Sequence, residues 1–558
     1  MSAFRPLSAR ALGLVAIPAA FFPAPAPAQQ QPQPVDQVDP AVVARQQQEE
    51  NERPRQREAP RLSTPAPVQA NAASEPITPG AIHVEGATEL RPADFAPAIE
   101  PYLGRPLGEE ELRALTRDVA EVARRAGFGL ATAWVPRQSL VAGVLRVQVD
   151  EGRIDAVEVS GNAHEAIEAR LGGLATGRPL RTTELERRLL LAGDVPGVSL
   201  GRARVVRRDG RTILVVDASI DRVRGWASVD NSGSGPVGPI RARLSVDFNS
   251  LAVGGDRLSV GGVVTPVQPR EFQYGEISYT APIGRNGTEA SVAVYAGHSD
   301  PGASLRGQDI AGVSTQAEAR VTHPLLRSRA ASLWGSVGVT IRDSTLDQLG
   351  ARVRDDRIVS ASAALSGNAR FAGGRLRVRL AYVQGLDLLN ATARGAPLAS
   401  RSDAGGPFSK IEFWTEYERP LGRGFGIDLR GAGQLASRPL LASEEMGLGG
   451  RQFLRGFDYW EMAGDEGAVI SGELRYDLRR GLPGPLTRLQ VYLYADAGRV
   501  TNLAGGLGGG TLASAGGGLR AWLLHGFQAG VEIGVPLTDG AFDPAPDPRF
   551  SFNLGSRF

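Results

Sequence analysis

The chain has 558 residues, a formal net charge of +2 and no cysteine, so several domains are expected, no polyanionic partner is indicated, and disulfides, thiolate nucleophiles and cysteine-ligated metals are excluded. Its 70 glycines, with no apolar run long enough for a membrane helix beyond the extreme N-terminus, argue for strands and tight turns rather than helical spans.

Residues 1–28 carry Arg5 and Arg10, an apolar run from Ala11 to Phe22, and Ala26-Pro27-Ala28. This pattern predicts a secretory signal with its cleavage site, and Pro18 within a short run disfavours a membrane anchor. Residues 29–79 form a linker rich in Gln, Pro, Glu and Arg with almost no aromatic residues. Inside it, Asp39 as N-cap and Pro40 in the first turn open a helix-compatible stretch that Pro54 ends. On composition alone a disordered spacer is the preferred reading of this segment.

Residues 80–152 and 153–222 read as two copies of a small α/β module. Val84-Glu85-Gly86-Ala87 and Val159-Ser160-Gly161-Asn162 each close a strand ahead of a helical pattern, 75 residues apart (159 minus 84). In the first copy Leu112, Leu115, Val119 and Val122 form one helical stripe, Gly127 follows as a cap, and Leu145, Val147 and Val149 alternate in a strand. In the second, Leu185 and Leu189 lie on a helix before Pro196-Gly197, and strands follow near Val198 to Arg207 and Thr212 to Ala218.

Residues 223–558 form one block in which, from Arg224 onward, the helical period gives way to alternation. Ala242, Leu244, Val246 and Phe248 oppose Arg241, Arg243, Ser245 and Asp247; Leu376, Val378, Leu380 and Tyr382 oppose Arg375, Arg377 and Arg379; Ile470, Leu474 and Tyr476 oppose Ser471, Glu473 and Arg475. In a membrane barrel the charged positions line the lumen; a tandem of soluble β-sandwiches is the alternative. Prolines at 282, 324, 420 and 536 predict strand ends and tight turns on one rim. Divided among about sixteen strands, the block allows roughly 21 residues per strand and connection, which suits tilted membrane strands. The final segment places Phe550, Phe552, Leu554 and Phe558 on one face and Ser551, Asn553, Gly555 and Arg557 on the other, the pattern of a barrel strand ending in an aromatic. The fold class that follows is an all-β transmembrane barrel of about sixteen antiparallel strands preceded by two α/β modules.

Catalytic chemistry has no foothold. The one lysine, Lys410, follows no glycine-rich loop, so no phosphate-binding loop is formed; His83, His164, His298, His323 and His525 are scattered; and there is no G-x-S-x-G elbow. The reading is of a protein that is not an enzyme and takes no cofactor or metal.

The most specific feature lies between two predicted strands: Gly449-Gly450-Arg451-Gln452-Phe453-Leu454-Arg455-Gly456-Phe457-Asp458-Tyr459. Glycines permit sharp folding, and an Arg between Leu454 and Phe457 inside a barrel would need a carboxylate. The candidate partner is Asp496 in Tyr492-Leu493-Tyr494-Ala495-Asp496-Ala497-Gly498, where Tyr492, Tyr494 and Asp496 share the lumenal face and a bidentate tether is reasonable. On spacing alone, an Arg in a solvated extracellular loop has equal standing.

Leu454-Arg455-Gly456-Phe457 resembles the (V/L)RG(F/Y) motif in loop 6 of the Omp85 superfamily, and Asp496-Ala497-Gly498 its D-x-G partner on the barrel wall. Asp230-Asn231-Ser232-Gly233 through Asp256 is similar to the first barrel hairpin of the TpsB transporters of two-partner secretion, the ShlB/FhaC/HecB hemolysin secretion/activation family. The order of signal peptide, glutamine-rich segment, two POTRA modules and barrel resembles that family over nearly the whole chain after residue 28.

The resemblance implies a 16-stranded outer-membrane barrel with its POTRA modules in the periplasm and loop 6 folded into the pore. It further implies that residues 39–53 serve as a plug helix, although Pro54 and Pro60 shorten it. The partner implied is a large β-helical exoprotein, hemolysin- or adhesin-like, captured through its N-terminal secretion domain and exported without nucleotide hydrolysis. Outer-membrane lipid and the barrel assembly machinery are further expected partners, and nucleic acid is not. The runner-up readings are an outer-membrane protein insertase of the BamA/TamA kind, against which two modules rather than three or five weigh, and a passive porin, which has no need of residues 80–222.

Overall fold

The computed structural model describes residues 38–42, 45, 61–63, 76–504, 508–541 and 543–558. The expected signal peptide and most of the 29–79 linker lie outside them.

In the first module, Val144–Asp150 is the central strand, parallel to Ala81–Glu85 and antiparallel to Thr132–Trp134. Helix Glu109–Arg125 begins on three glutamates and ends on two arginines, an arrangement that opposes its macrodipole. It packs Leu112, Leu115 and Val119 on Leu145, Val147 and Val149, and Gly127 takes the left-handed φ of +99° past its end. The second module has the same logic: Ile167, Leu171, Leu185 and Leu189 cover Leu214 and Val216.

Its sheet, however, has a fourth strand. Arg61–Ser63, from the linker, lies parallel to Val198–Arg208, pairing Leu62 with Ala203. The spacer reading of the linker is corrected here: a backbone ladder needs no hydrophobic pattern, so composition carries no trace of it.

Sixteen strands from Val223–Asp230 to Arg549–Arg557 close into an antiparallel barrel. The closing seam pairs residues 553–557 with residues 226–230. Above this ladder Asn231 extends the seam with its side chain, donating to Phe550 O at 2.8 Å and accepting from Phe552 N–H at 2.7 Å. Below it, Gly225 and Phe558 exchange backbone bonds. A Cβ on Gly225 would lie 2.1 Å from the Phe558 ring, so the terminal aromatic occupies the space left by that glycine.

The alternating faces sort as a barrel in lipid requires: Leu244, Leu380, Ile470, Leu493, Phe550, Leu554 and Phe558 are exposed outside, Phe552 is half-buried, and Arg241, Glu473 and Asp496 are buried inside. No helix among the described residues is long and apolar enough to cross a membrane.

Connections on the module side are short, such as 372–373 and 423–424, whereas those opposite run to 387–408 and 437–465, the sixth of that rim, hereafter loop 6. Pro282, Pro324 and Pro420 stand near the module-side turns, two of them beside register shifts. Pro536 departs from the one-rim expectation. It ends strand Gln528–Pro536 at the opposite rim, against loop 6.

The second module is seated on the barrel's short turns. Arg327 grips Asp194 with two bonds of 2.7 Å, and Arg170 donates to Gly284 O at 3.1 Å. In the first module, Glu151 is buried and its carboxylate accepts the N–H groups of Thr88, Glu89 and Leu90 and the Thr88 hydroxyl. Burial alone would raise its pKa, but these bonds outweigh burial and hold it below 4.5. The depressed pKa means stability that is present above the unfolded carboxylate value and is lost as pH falls through the folded one. Hydrogen exchange of the full-length protein should show residues 88–90 losing protection only when the pH falls below the ordinary glutamate range. Glu151→Gln should lose it already at neutral pH; equal protection in the variant would show that the carboxylate is not the cap.

Candidate functional site in the barrel lumen

Loop 6 turns inward instead of capping the rim. Gly449 and Gly450 take φ of +107° and +99°, and a Cβ on Gly449 would sit 2.0 Å from Asp458 O. Leu454 adopts φ +57° without being glycine, a conformation that costs about 1–2 kcal/mol. Its side chain is fully buried with Phe457, Leu448, Val469, Val500 and Leu512, which offsets that cost. The Phe457 N–H closes the turn on Leu454 O at 2.9 Å.

The turn delivers Arg455 to the wall. Its Nε and Nη2 each lie 3.1 Å from one oxygen of Asp496, and its own backbone N–H reaches Asp496 Oδ2 at 3.1 Å. Nη1 meets Glu473 Oε2 at 2.9 Å and Glu532 Oε2 at 3.2 Å, while Nη2 donates to Ser471 Oγ at 3.2 Å. The guanidinium carbon Cζ lies 3.3 Å from the Tyr494 ring centroid.

Glycines make the room. A Cβ on Gly456 would be 2.9 Å from Pro536 N, one on Gly498 would be 2.9 Å from Val469 Cγ2, and one on Gly516 or Gly534 would strike the Tyr494 hydroxyl. Leu454, Arg455, Gly456, Phe457, Asp496 and Gly498 thus come together at one place on the inner wall. The solvated-loop alternative for Arg455 gives way to a side chain 4 % exposed.

A second cluster, built on the segment that opens at Asp39 and Pro40, occupies the other side of the lumen. Val38 and Val42 are fully buried among Phe272, Tyr274, Leu305, Ile310, Leu346 and the loop 6 residues Tyr459 and Trp460. Asp39 accepts the Ala41 N–H at 2.8 Å as N-cap and the Ser344 hydroxyl at 2.9 Å. Pro40 fits over Gly297 and Gly312, where added Cβ atoms would come within 3.1 and 2.7 Å of it. Arg45 donates to Ser443 O and Glu445 O of loop 6, both at 3.0 Å, and pairs with Glu412 at 2.9 Å.

Lys410, set aside above for want of a phosphate loop, is buried between Glu412 at 2.9 Å and Glu444 at 2.7 Å, and Arg342 joins Glu444 at 2.6 Å. The available signal was the alternation Lys410, Glu412, Glu416, Glu418 with its charges at even positions on one strand face. The carboxylates of Glu416, Glu418 and Asp428 also converge, but Arg377, Arg430 and Arg475 meet them, with Arg475 at 2.5 Å from Asp428 and 3.2 Å from Glu418. Guanidinium groups supply the positive charge there.

The two halves of the lumen generate separate predictions. Arg455→Ala strands buried carboxylates and should cost about 3–5 kcal/mol locally. The barrel should stay heat-modifiable while planar-bilayer currents become noisier, and Asp496→Ala should behave alike; quiet, parental currents in both would remove the tether. Gly312→Val should push Pro40 from its seat and raise mean conductance, and deleting residues 29–60 should raise it further. Parental conductance in both variants would show that the N-terminal segment does not obstruct the lumen.

Comparison with known proteins agrees with this architecture. The haemolysin secretion/activation protein ShlB/FhaC/HecB model matches residues 209–521, and the ShlB-type POTRA domain matches residues 77–152. The chain is 23% identical over 414 residues to the heme/hemopexin transporter protein HuxB of Haemophilus influenzae (strain 86-028NP), covering 72% of each. It is 24% identical over 482 residues to the outer membrane transporter CdiB of Escherichia coli, covering 79% of this chain and 77% of that one. Among solved structures, CdiB from Escherichia coli superposes with a TM-score of 0.72 at 21% identity, over 95% of this chain and all of that one. BamA from Haemophilus ducreyi lacking POTRA domains 1–3 gives 0.51 at 15% identity, over 87% of this chain and 100% of that one, a likeness of fold alone. With more than half of its length matched, the chain belongs to the haemolysin secretion/activation protein ShlB/FhaC/HecB family, the outer-membrane transporters of two-partner secretion.

Proposed function

We propose that this transporter exports one dedicated, large β-helical exoprotein, using residues 80–152 and 153–222 to capture its N-terminal secretion domain in the periplasm. Passage through the lumen then requires both the plug segment and loop 6 to move. The observation that carries this reading is the lumen itself: two inward-folded elements, held by ion pairs, hydrogen bonds and two small apolar clusters, lie inside a barrel whose inner wall is rich in charged side chains. A passive solute channel has no use for such removable fillings. Neither nucleotide hydrolysis nor any other catalysis is part of the proposal; outer-membrane lipid and the barrel assembly machinery enter only as the setting and route of insertion.

Capture would be by β-augmentation, in which an extended cargo segment adds backbone hydrogen bonds to a sheet edge. One such edge, Val198–Arg208, is taken in cis by Arg61–Ser63. That short ladder is weak enough for cargo to displace, so edge release and plug movement would be linked through one linker.

Arg455→Ala and Asp496→Ala should impair export at normal transporter levels, and full secretion by both would sink the tether's role. Leu62→Pro, which puts a residue without an N–H into the short strand, should tighten binding of the secretion domain. Unchanged affinity would mean the edge is not the capture site. Gene deletion separates exporter from insertase. One large exoprotein should vanish from the medium with the barrel proteome intact, whereas a broad fall in barrel proteins with no exoprotein lost would overturn the two-partner reading.

A further inference from the structure

Arg401 lies in the connection 387–408, on the rim opposite the modules. Its Nη1 is 2.5 Å from Glu445 Oε1 and 2.8 Å from Asp465 Oδ1, and its Nη2 is 3.1 Å from Asp403 Oδ2. Nη1 also reaches Asn502 Oδ1 at 3.4 Å. Glu445 and Asp465 belong to loop 6 and Asn502 to the connection after it, so one guanidinium joins three successive outer loops. Asp465 is fully buried and also accepts the Leu440 N–H at 2.7 Å and the Leu503 N–H at 2.8 Å.

Around this hub lies an apolar patch of its own, in which Leu440 and Leu441 of loop 6 pack on Ile358, Ala404 and Phe408. The Ala442 N–H donates to Ser400 Oγ at 3.0 Å across the two loops. From the patch the chain runs inward: Glu444 meets Lys410 and Arg342 on the barrel wall, and the carbonyls of Ser443 and Glu445 receive Arg45 of the plug. Residues 440–445 therefore reach from the outer rim into the lumen above the plug.

We infer that Arg401, with Asp465 and Glu445, is an outer latch that holds residues 440–445 across the exit, and that export requires the 387–408 connection and loop 6 to part there. This latch is separate from the Arg455 tether, which fastens the far side of the same loop to Asp496. Its chemistry suits repeated opening. The apolar patch favours closure, while parting returns the guanidinium and its carboxylates to water, so the desolvation cost of the closed hub is recovered when it opens. Arg401 is a positioning residue, acting through loop 6 on the width of the exit.

The export arm of the test rests on the transport reading; the conductance arm does not. In planar bilayers, full-length Arg401→Ala and Asp465→Asn should spend several-fold more time in high-conductance states than the parent, with Arg401→Lys between. Parental gating in the two charge-removing variants would overturn the latch. Because the chain has no cysteine, Ser400→Cys with Ala442→Cys gives a switchable staple. Once oxidised, and shown to be linked by peptide mapping, it should stop export from a heat-modifiable barrel, with reductant restoring it. Export undiminished by the staple would also overturn the latch. If a charge variant gives no heat-modifiable barrel, the staple decides; if the cysteines do not link, gating decides. Should the parent export no exoprotein, the transport reading falls, and the gating result still judges the latch.

Discussion

A guanidinium removed from water inside a barrel must be met by carboxylates, and Arg455 is met by three. Asp496, Glu473 and Glu532 come from three different strands of the wall. Much else in that quadrant follows from this constraint. Leu454 accepts a left-handed backbone so that the next residue can point at the wall, Gly456 and Gly498 keep the approach clear, and glycines on neighbouring strands leave space for the Tyr494 ring. Because removing one partner of such a cluster is far more damaging than replacing the whole, the loop and wall residues act as a unit.

The tether is linked to the N-terminal segment through loop 6 without any shared residue. Tyr459 donates its hydroxyl to Val42 O at 2.8 Å, and Ser443 and Glu445 receive Arg45, so loop 6 touches the plug before and after the Arg455 turn. The N-terminal segment thus rests on loop 6 as much as on the barrel wall. A rigid wall would hold a plug in one state, whereas a plug resting on a loop inherits the loop's equilibrium.

The barrel was legible in the sequence because its two solvents differ. Hydrocarbon outside and water inside impose a period of two on nearly every strand, and Leu376 to Tyr382 against Arg375 to Arg379 is enough to read it. The Arg455 and Asp496 motifs were legible as types, although nothing local said that the loop turns inward. The N-terminal segment was legible only in part: Asp39 as N-cap and Pro40 in the first turn were read from the sequence, but composition favoured a disordered spacer, and the partners that bury Val38, Val42 and Arg45 lie hundreds of residues away. The strand Arg61–Ser63 pairs through backbone, which has no sequence signature, and the Arg401 hub gathers residues 44, 64 and 101 positions distant. Pro536 misled for a related reason, since a proline marks the end of a strand without saying which rim the end reaches.

The basic side chains also carry an argument. The chain has 62 Lys and Arg residues, of which one is lysine, and the lumen shows what the arginines do. Arg455, Arg401 and Arg475 each bridge three carboxylates from one guanidinium plane. An ammonium group has no fixed fork and holds its partners less directionally. Lys410 stands where its two carboxylates, Glu412 and Glu444, belong to wall and loop respectively and where Arg45 of the plug shares Glu412. Its ammonium also donates to Gln434 Oε1 at 3.4 Å and to Glu444 O at 3.2 Å, so one compact charge serves wall and loop together. The guanidinium forks fasten loop 6 to the wall and to its neighbours on the outer rim, while Lys410 stands where wall, loop 6 and the N-terminal segment meet.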